Sequence, residues 1–128
     1  MTAKLFPAIK YDDAPQALGW LKSAFGFEAH AVHKDDAGHI VHAEMKLGEA
    51  LIMFGGKQAP DKTNPWCTEP VGVYVCVDDI EAHHAKAKAA GAEIVRPLSD
   101  TPYGAREYSV RDCGGHLWSF GTYDPWKA

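Results

Sequence analysis

Apolar and polar positions along this chain form one pattern stated twice. Ile9-Lys10-Tyr11-Asp12-Asp13 and Val75-Cys76-Val77-Asp78-Asp79 each carry a short apolar run up to an acidic pair. In the first half, Ala14, Ala17, Leu18, Leu21 and Phe25 then recur at three- and four-residue spacing, the period of a helix with one buried face. Pro15 suits its first turn, Asp12 or Asp13 can cap it, and Gly26 stops it. Strands are predicted over Phe27–His33, His39–Leu47 and Ala50–Phe54, divided by polar and glycine turns. The second half repeats the order: a strand over Gly72–Val77, a helix over Ile80–Ala90 capped by Asp78 or Asp79 and stopped by Gly91, then strands over Ala92–Arg96, Arg106–Arg111 and His116–Tyr123.

Each half therefore reads as strand, helix and three strands. Such a repeat implies two copies of one supersecondary unit, neither able to bury its apolar face alone, with function expected between them. The segment from Gly56 to Pro70, with Pro60, Pro65 and Pro70, has no period and reads as a linker. A chain of 128 residues suits a single domain, 1–128, made of unit one (1–56), linker (57–70) and unit two (71–128).

Composition narrows the partners. The chain is 46% hydrophobic and 23% charged, the balance of an ordinary globular protein. A net charge of -4 and the absence of any Lys/Arg cluster exclude a nucleic-acid partner and tolerate a neutral or cationic small molecule. No apolar run approaches the ~20 residues that span a bilayer, and Met1-Thr2-Ala3-Lys4 lacks a signal-peptide core, so no membrane role is expected. Cys67, Cys76 and Cys113 lack Cys-x-x-Cys spacing and read as small buried hydrophobes in a reducing cytoplasm.

Catalytic signals are sparse. Ser23, Ser99, Ser109 and Ser119 sit in no nucleophile elbow, and Gly55-Gly56-Lys57 lacks the spacing of a phosphate loop. Cys76 alternates with Tyr74 and Gly72 on a strand but has no base beside it, so it reads as a core thiol. His42 and Glu44 lie two apart on a strand and share a face, and His30 on the neighbouring strand would complete a His/His/Glu metal set. Against that set, His33, His39, Lys34 and Asp35 around it suggest a solvated sheet face. His83 and His84, with Lys86 and Lys88 nearby, read as a solvated helix surface, and the His116 ring is expected to bond to backbone.

The paired units, the closing segment Val110-Arg111-Asp112-Cys113-Gly114-Gly115-His116-Leu117-Trp118-Ser119-Phe120 and the loop Tyr103-Gly104-Ala105-Arg106 resemble the vicinal oxygen chelate superfamily. That group holds glyoxalase I, extradiol dioxygenases, fosfomycin-resistance transferases and bleomycin-resistance binding proteins. Cys113 stands where the family usually has proline. The resemblance implies an α/β (α+β) fold in which two βαβββ units form a curved, barrel-like mixed sheet around a cleft, helices outside. The family's metal-ligand places fall on Phe6, Met53, Gly72 and Ser119, none of them a His or Glu. A hard divalent ion needs carboxylate or imidazole donors, so no metal and no cofactor is expected there.

With those places facing inward, strand alternation brings Ala8, Leu51, Tyr74, Cys76 and Leu117 to the same side, while Trp118 and Phe120 pack in the core. Gly72, Ala8 and Ser119 leave space; Phe6, Met53 and Tyr74 give it apolar walls. Trp66 in the linker is a candidate to close over a planar ligand, or else an anchor of that linker. Tyr103 and Arg106 are the polar candidates, with a salt bridge of Arg106 to Glu107, Asp100 or Asp112 as the structural alternative. The expected function is metal-independent binding of an aromatic or cationic small molecule by a cytoplasmic homodimer, as in the bleomycin-resistance branch. The alternative is a glyoxalase-like lyase, dioxygenase or transferase with a non-standard metal site.

Overall fold

The computed structural model describes residues 5–56 and 69–127. Trp66, Cys67 and most of the predicted linker lie outside the described residues. In chain order the elements are β1 (Ala8–Tyr11), α1 (Ala14–Phe25), β2 (Glu28–Lys34), β3 (Ile40–Leu47), β4 (Ala50–Gly56), β5 (Gly72–Cys76), α2 (Ile80–Ala89), β6 (Glu93–Asp100), β7 (Arg106–Arg111) and β8 (Leu117–Gly121). The chain divides into two compact units, one of residues 1–22 and 26–69, the other of 23–25 and 70–128.

The acidic pairs do start the helices, through the second residue of each pair. Asp13 Oδ1 accepts from the Gln16 amide and Asp79 Oδ1 from the Ala82 amide, both at 3.0 Å. Pro15 occupies the first turn of α1, and Gly26, at φ 85°, takes the left-handed conformation that ends it. Ala14, Ala17, Leu21, Ala24 and Phe25 are buried along α1.

Each unit carries its own four-stranded mixed sheet, in the orders β1-β4-β3-β2 and β5-β8-β7-β6, so the fold is α+β with a twofold-repeated topology. In both sheets the first strand runs parallel to the last and the other neighbours are antiparallel. Among the described residues the strands form two sheets, and no hydrogen-bonded barrel closes. One sequence expectation fails at an edge: β6 was expected to stop at Arg96 and continues to Asp100. It passes Pro97 by register shifts between Ile94 and Arg96 and between Arg96 and Ser99. An edge strand with bulges tolerates a proline, because the missing N–H has no ladder partner to lose.

Parity then fixes the two faces of each sheet. Ile9, Tyr11, Ala43, Met45, Ile52 and Phe54 form the buried face of the first. Tyr108, Val110, Trp118 and Phe120 do so in the second, each fully buried. Phe25 joins that second core, its ring 5.2 Å from Trp118 and 4.6 Å from Phe120 between centroids. Burying an aromatic side chain of this size stabilises by ~1.5–3 kcal/mol, so this cluster anchors the second unit.

Two expectations about helix and strand chemistry are overturned here. His83 is no solvated surface residue: its Nε2–H donates to the Phe25 carbonyl at 3.1 Å and its Nδ1 accepts from the Tyr108 hydroxyl. The Phe25 carbonyl can only accept, which assigns the proton to Nε2 and leaves Nδ1 as the acceptor. The ring of His84 meets Tyr108 edge to face at 5.0 Å. Ile80 and Ala87 are the buried positions of α2, and residues 83 and 84 fall on the same helical face between them. Nor is Cys76 a core thiol. It is exposed, its Sγ 3.9 Å from the Thr122 carbonyl, and Cys113 is half-buried.

Candidate functional site

The solvent-side faces of the two sheets hold the sequence-predicted residues, and pairing register fixes their neighbours. In the first unit Ala8 lies opposite Met53, and Met53 opposite Glu44. In the second, Gly72 lies opposite Leu117, Tyr74 opposite Ser119, and Ser119 opposite Ser109. Phe6 precedes β1 and is half-exposed. The repeat thus superimposes Ala8 on Tyr74, Met53 on Ser119 and Glu44 on Ser109, giving each unit one backbone frame with different chemistry on it.

On the first face, Ala8 and Met53 help line a cavity of about 140 Å³ together with Lys10, His42 and Gly55. His42 Nε2 lies 3.0 Å from Glu44 Oε2 and His30 Nε2 lies 4.0 Å from Glu44 Oε1. His33 packs its ring against His42 at 5.8 Å. The His42 hydrogen bond holds the Glu44 carboxyl below the usual carboxylate range. Among the described residues no group of three or more His, Cys, Asp or Glu is arranged to hold a metal ion; His42 is hydrogen-bonded to Glu44, and His30 stands only at ion-pair distance from it.

The second face differs. A Cβ built on Gly72 would meet nothing within 4 Å, so this position opens onto free space. The Ser119 hydroxyl is tied to that of Ser109 at 2.7 Å. Gly121 has the opposite character: a Cβ there would come within 2.6 Å of Glu107 Cγ and 2.9 Å of the Tyr74 hydroxyl oxygen. The Tyr74 ring therefore leans along the sheet over Gly121, with its hydroxyl donating to the Tyr123 carbonyl at 2.6 Å. Burial first, then the Cys76 and Glu107 charges, push the Tyr74 phenol up to about 12.

Glu107, which the sequence offers only as a possible partner of Arg106, is the polar centre of this face and pairs elsewhere. It is only 6% exposed, yet both oxygens are matched: Arg96 Nη2 donates to Oε1 at 2.9 Å and the Tyr103 hydroxyl donates to Oε2 at 2.7 Å. That bond holds the Tyr103 phenol above its ordinary value. Tyr103 also meets the Tyr123 ring edge to face, with centroids 5.7 Å apart. Arg106 does not join Tyr103. Its guanidinium is 3.4 Å from Glu81 and 4.0 Å from Asp100, on partners from α2 and β6. The signal for Glu107 was present only as parity: it alternates with Ser109 and Arg111 on β7, which puts it on the face of Tyr74 and Ser119.

Around the closing turn the polar groups are structural. Asp112 Oδ1 accepts from the Gly114 and His116 amides and Oδ2 from Trp118 Nε1, while His116 Nδ1 accepts from the Val71 amide at 2.9 Å.

The family's metal would need donors at Phe6, Met53, Gly72 and Ser119. A phenyl ring, a thioether, an open glycine and a hydroxyl engaged by Ser109 do not fit a hard divalent ion, which calls for carboxylate or imidazole.

The family model of the Glyoxalase/Bleomycin resistance protein/Dioxygenase superfamily matches residues 7–120. An uncharacterized protein of Mycobacterium bovis, Mb0911c, is 31% identical over 125 residues, covering 91% of this chain and 81% of its own. Among solved structures, TioX from Micromonospora sp. ML1 is 34% identical, with a TM-score of 0.77 over 93% of this chain and 94% of its own. A lactoylglutathione lyase from Agrobacterium tumefaciens shares the fold, with 18% identity and a TM-score of 0.71 over 94% of this chain and 93% of its own.

Proposed function

Because this chain belongs to the glyoxalase/bleomycin resistance protein/dioxygenase superfamily, we propose that it binds a small, partly aromatic or amphipathic molecule without a metal, as a binding protein of the bleomycin-resistance type. The observation that carries the reading is the open space at Gly72, flanked on one sheet face by the half-exposed Tyr74 and Leu117 and floored by the paired Ser109 and Ser119 hydroxyls. An open apolar floor with a few fixed polar groups suits a small organic ligand. Phe6, Ala8 and Met53 belong to the reading as apolar wall, Tyr103 as its polar partner, and Arg106 as a residue shaping the loop beside it. Trp66 stays in it on its sequence context alone.

The reading includes a homodimer in the cytoplasm. In its support, among the described residues no helix is long and apolar enough to cross a membrane, and β1, β2, β5 and β6 are sheet edges with one strand partner each.

The test joins metal analysis to a ligand screen. Protein purified without chelator should hold well under one equivalent of Zn, Ni, Fe or Mn. A thermal-shift screen of aromatic antibiotics and carbonyl metabolites should return hits that Gly72→Phe weakens while the fold is kept. A stoichiometric, tightly held metal would refute the reading.

A further inference from the structure

We propose that the ligand taken by the second unit's sheet face is an organic cation, its positive charge held against the rings of Tyr74, Tyr103 and Tyr123 beside Glu107. The inference rests on the binding reading above and adds the ligand's charge.

The phenol protons of Tyr74 and Tyr103 are already committed. A tyrosine hydroxyl has one proton to give. That of Tyr74 goes to the Tyr123 carbonyl and that of Tyr103 to Glu107 Oε2. Neither remains as a donor for an incoming carboxylate or phosphate. What Tyr74, Tyr103 and Tyr123 offer is ring surface: Tyr74 and Tyr123 are each 40% exposed and Tyr103 is 62% exposed. A ring face carries negative quadrupolar density and attracts ammonium and guanidinium groups.

Gly121 then explains why these rings gather at one place. Its missing Cβ lets the Tyr74 ring lie across β8 against Glu107, and the Tyr103 and Tyr123 rings meet beside it at an interplanar angle of 76°. The charges nearby favour the same sign. Glu107 and Tyr103 add to the burial that raises the Tyr74 phenol, and Asp124 and Asp78 add to the burial that raises the Cys76 thiol, all marks of a local field unfriendly to anions. Arg96 and Lys127 are opposing charges: the Arg96 Nη2 is taken up by Glu107, and Lys127 acts against the two aspartates on the Cys76 thiol. Of the other guanidinium groups of this unit, Arg106 pairs with Glu81 and Asp100, and Arg111, farther along the same face of β7, pairs with Glu93 at 3.3 Å.

The experiment uses three probes that share a phenyl ring and differ in charge: benzyltrimethylammonium, benzyl alcohol and phenylacetate. Each is titrated into full-length protein carrying 13C-labelled tyrosine rings, followed by NMR. Benzyltrimethylammonium should shift the Tyr74, Tyr103 and Tyr123 signals and bind at least about tenfold more tightly than the other two. Tyr103→Leu and Tyr123→Leu, at exposed rings, should each weaken the cation about fivefold and leave benzyl alcohol within about twofold. Arg96→Gln should tighten the cation several-fold, a gain that loss of folding cannot imitate. Equal binding of all three probes, or preference for phenylacetate, would overturn the charge assignment and leave the binding reading standing. Failure of every probe to move these tyrosines, together with screen hits indifferent to Gly72→Phe, would overturn both.

Discussion

Gly121 and Gly72 occupy one face of one sheet, and the same one-carbon substitution should have opposite consequences at the two. Neither glycine has a positive φ, so backbone strain does not separate them. At Gly121 an added Cβ would meet Glu107 Cγ at 2.6 Å, the Tyr74 hydroxyl oxygen at 2.9 Å and the Tyr74 ring at 3.2 Å, distances that force both side chains to move. Overpacking of this kind costs ~1–3 kcal/mol, and a displaced Tyr74 also loses its bond to the Tyr123 carbonyl, worth ~0.5–1.5 kcal/mol. Alanine returns ~0.5–1 kcal/mol by restricting the unfolded chain, so Gly121→Ala should destabilise by ~1–3 kcal/mol net. At Gly72 nothing lies within 4 Å, and Gly72→Ala should be neutral or stabilise by up to ~1 kcal/mol. Urea unfolding followed by fluorescence measures both, and the gap of ~1–4 kcal/mol is read as a separation of the two midpoints. Gly121→Ala should also expose the Tyr74 hydroxyl and bring its titration down from about 12 toward the ordinary 10.0. If the two variants unfold at the same urea concentration, the Tyr74 ring does not lie over Gly121 and the tyrosine cluster built on that contact falls with it.

Two further outcomes follow from the second unit's buried polar groups. Burial holds the His83 imidazole below its ordinary 6.5, so in acid the unfolded chain takes up a proton that the folded one refuses. Stability should therefore be full above pH 6.5 and decline as pH falls below it toward the depressed folded value. Glu44 and Asp35, held low by His42 and by the His39 amide, give way only below their ordinary 4.5 and 3.8. His83→Asn should flatten the slope of urea-derived stability just below pH 6.5, and an unchanged slope would remove His83 from the core. Asp112→Ala should cost ~3–5 kcal/mol, since it strips the acceptor from the Gly114 and His116 amides and from Trp118 Nε1. Asp112→Asn should recover part of this through Oδ1, and near-UV circular dichroism of Trp118 would show whether the indole has lost its anchor.

What could be read from the sequence was what local spacing encodes. The acidic pairs marked both helix starts because capping acts over three residues, and Gly26 marked the stop of α1 because it alone at that point takes φ 85° without strain. Alternation placed Trp118 and Phe120 opposite Ser119, since a strand's faces follow from parity alone. The centre of the candidate site could not be read in this way. Arg96 reaches Glu107 across a bulged pairing, and Tyr74 reaches Gly121 diagonally on the neighbouring strand, so neither partnership leaves a mark in local spacing. His83 is a different case: its position between Ile80 and Ala87 did carry the helical period, and the adjacent lysines obscured it. Arg106 finds Glu81 on a helix that precedes it by 25 residues, a contact that only the fold specifies.

The repeat itself limits where the chemistry can reside. One register serves both units, so Gly55 and Gly121 occupy equivalent places, as do His42 and Glu107, and Ala8 and Tyr74. Both glycines make room for a neighbour's side chain, Lys10 in the first unit and Tyr74 in the second. The neighbour decides the outcome. Lys10 brings a cationic amine over the first face, at the cavity that His42 also lines. Tyr74 brings a neutral ring over the second, beside a carboxylate that stays matched by Arg96 and Tyr103. Two faces folded by the same pattern thus carry different chemistry, an amine with a His/Glu cluster on one and tyrosine rings around a matched carboxylate on the other, so a ligand that fits one meets different partners on the other.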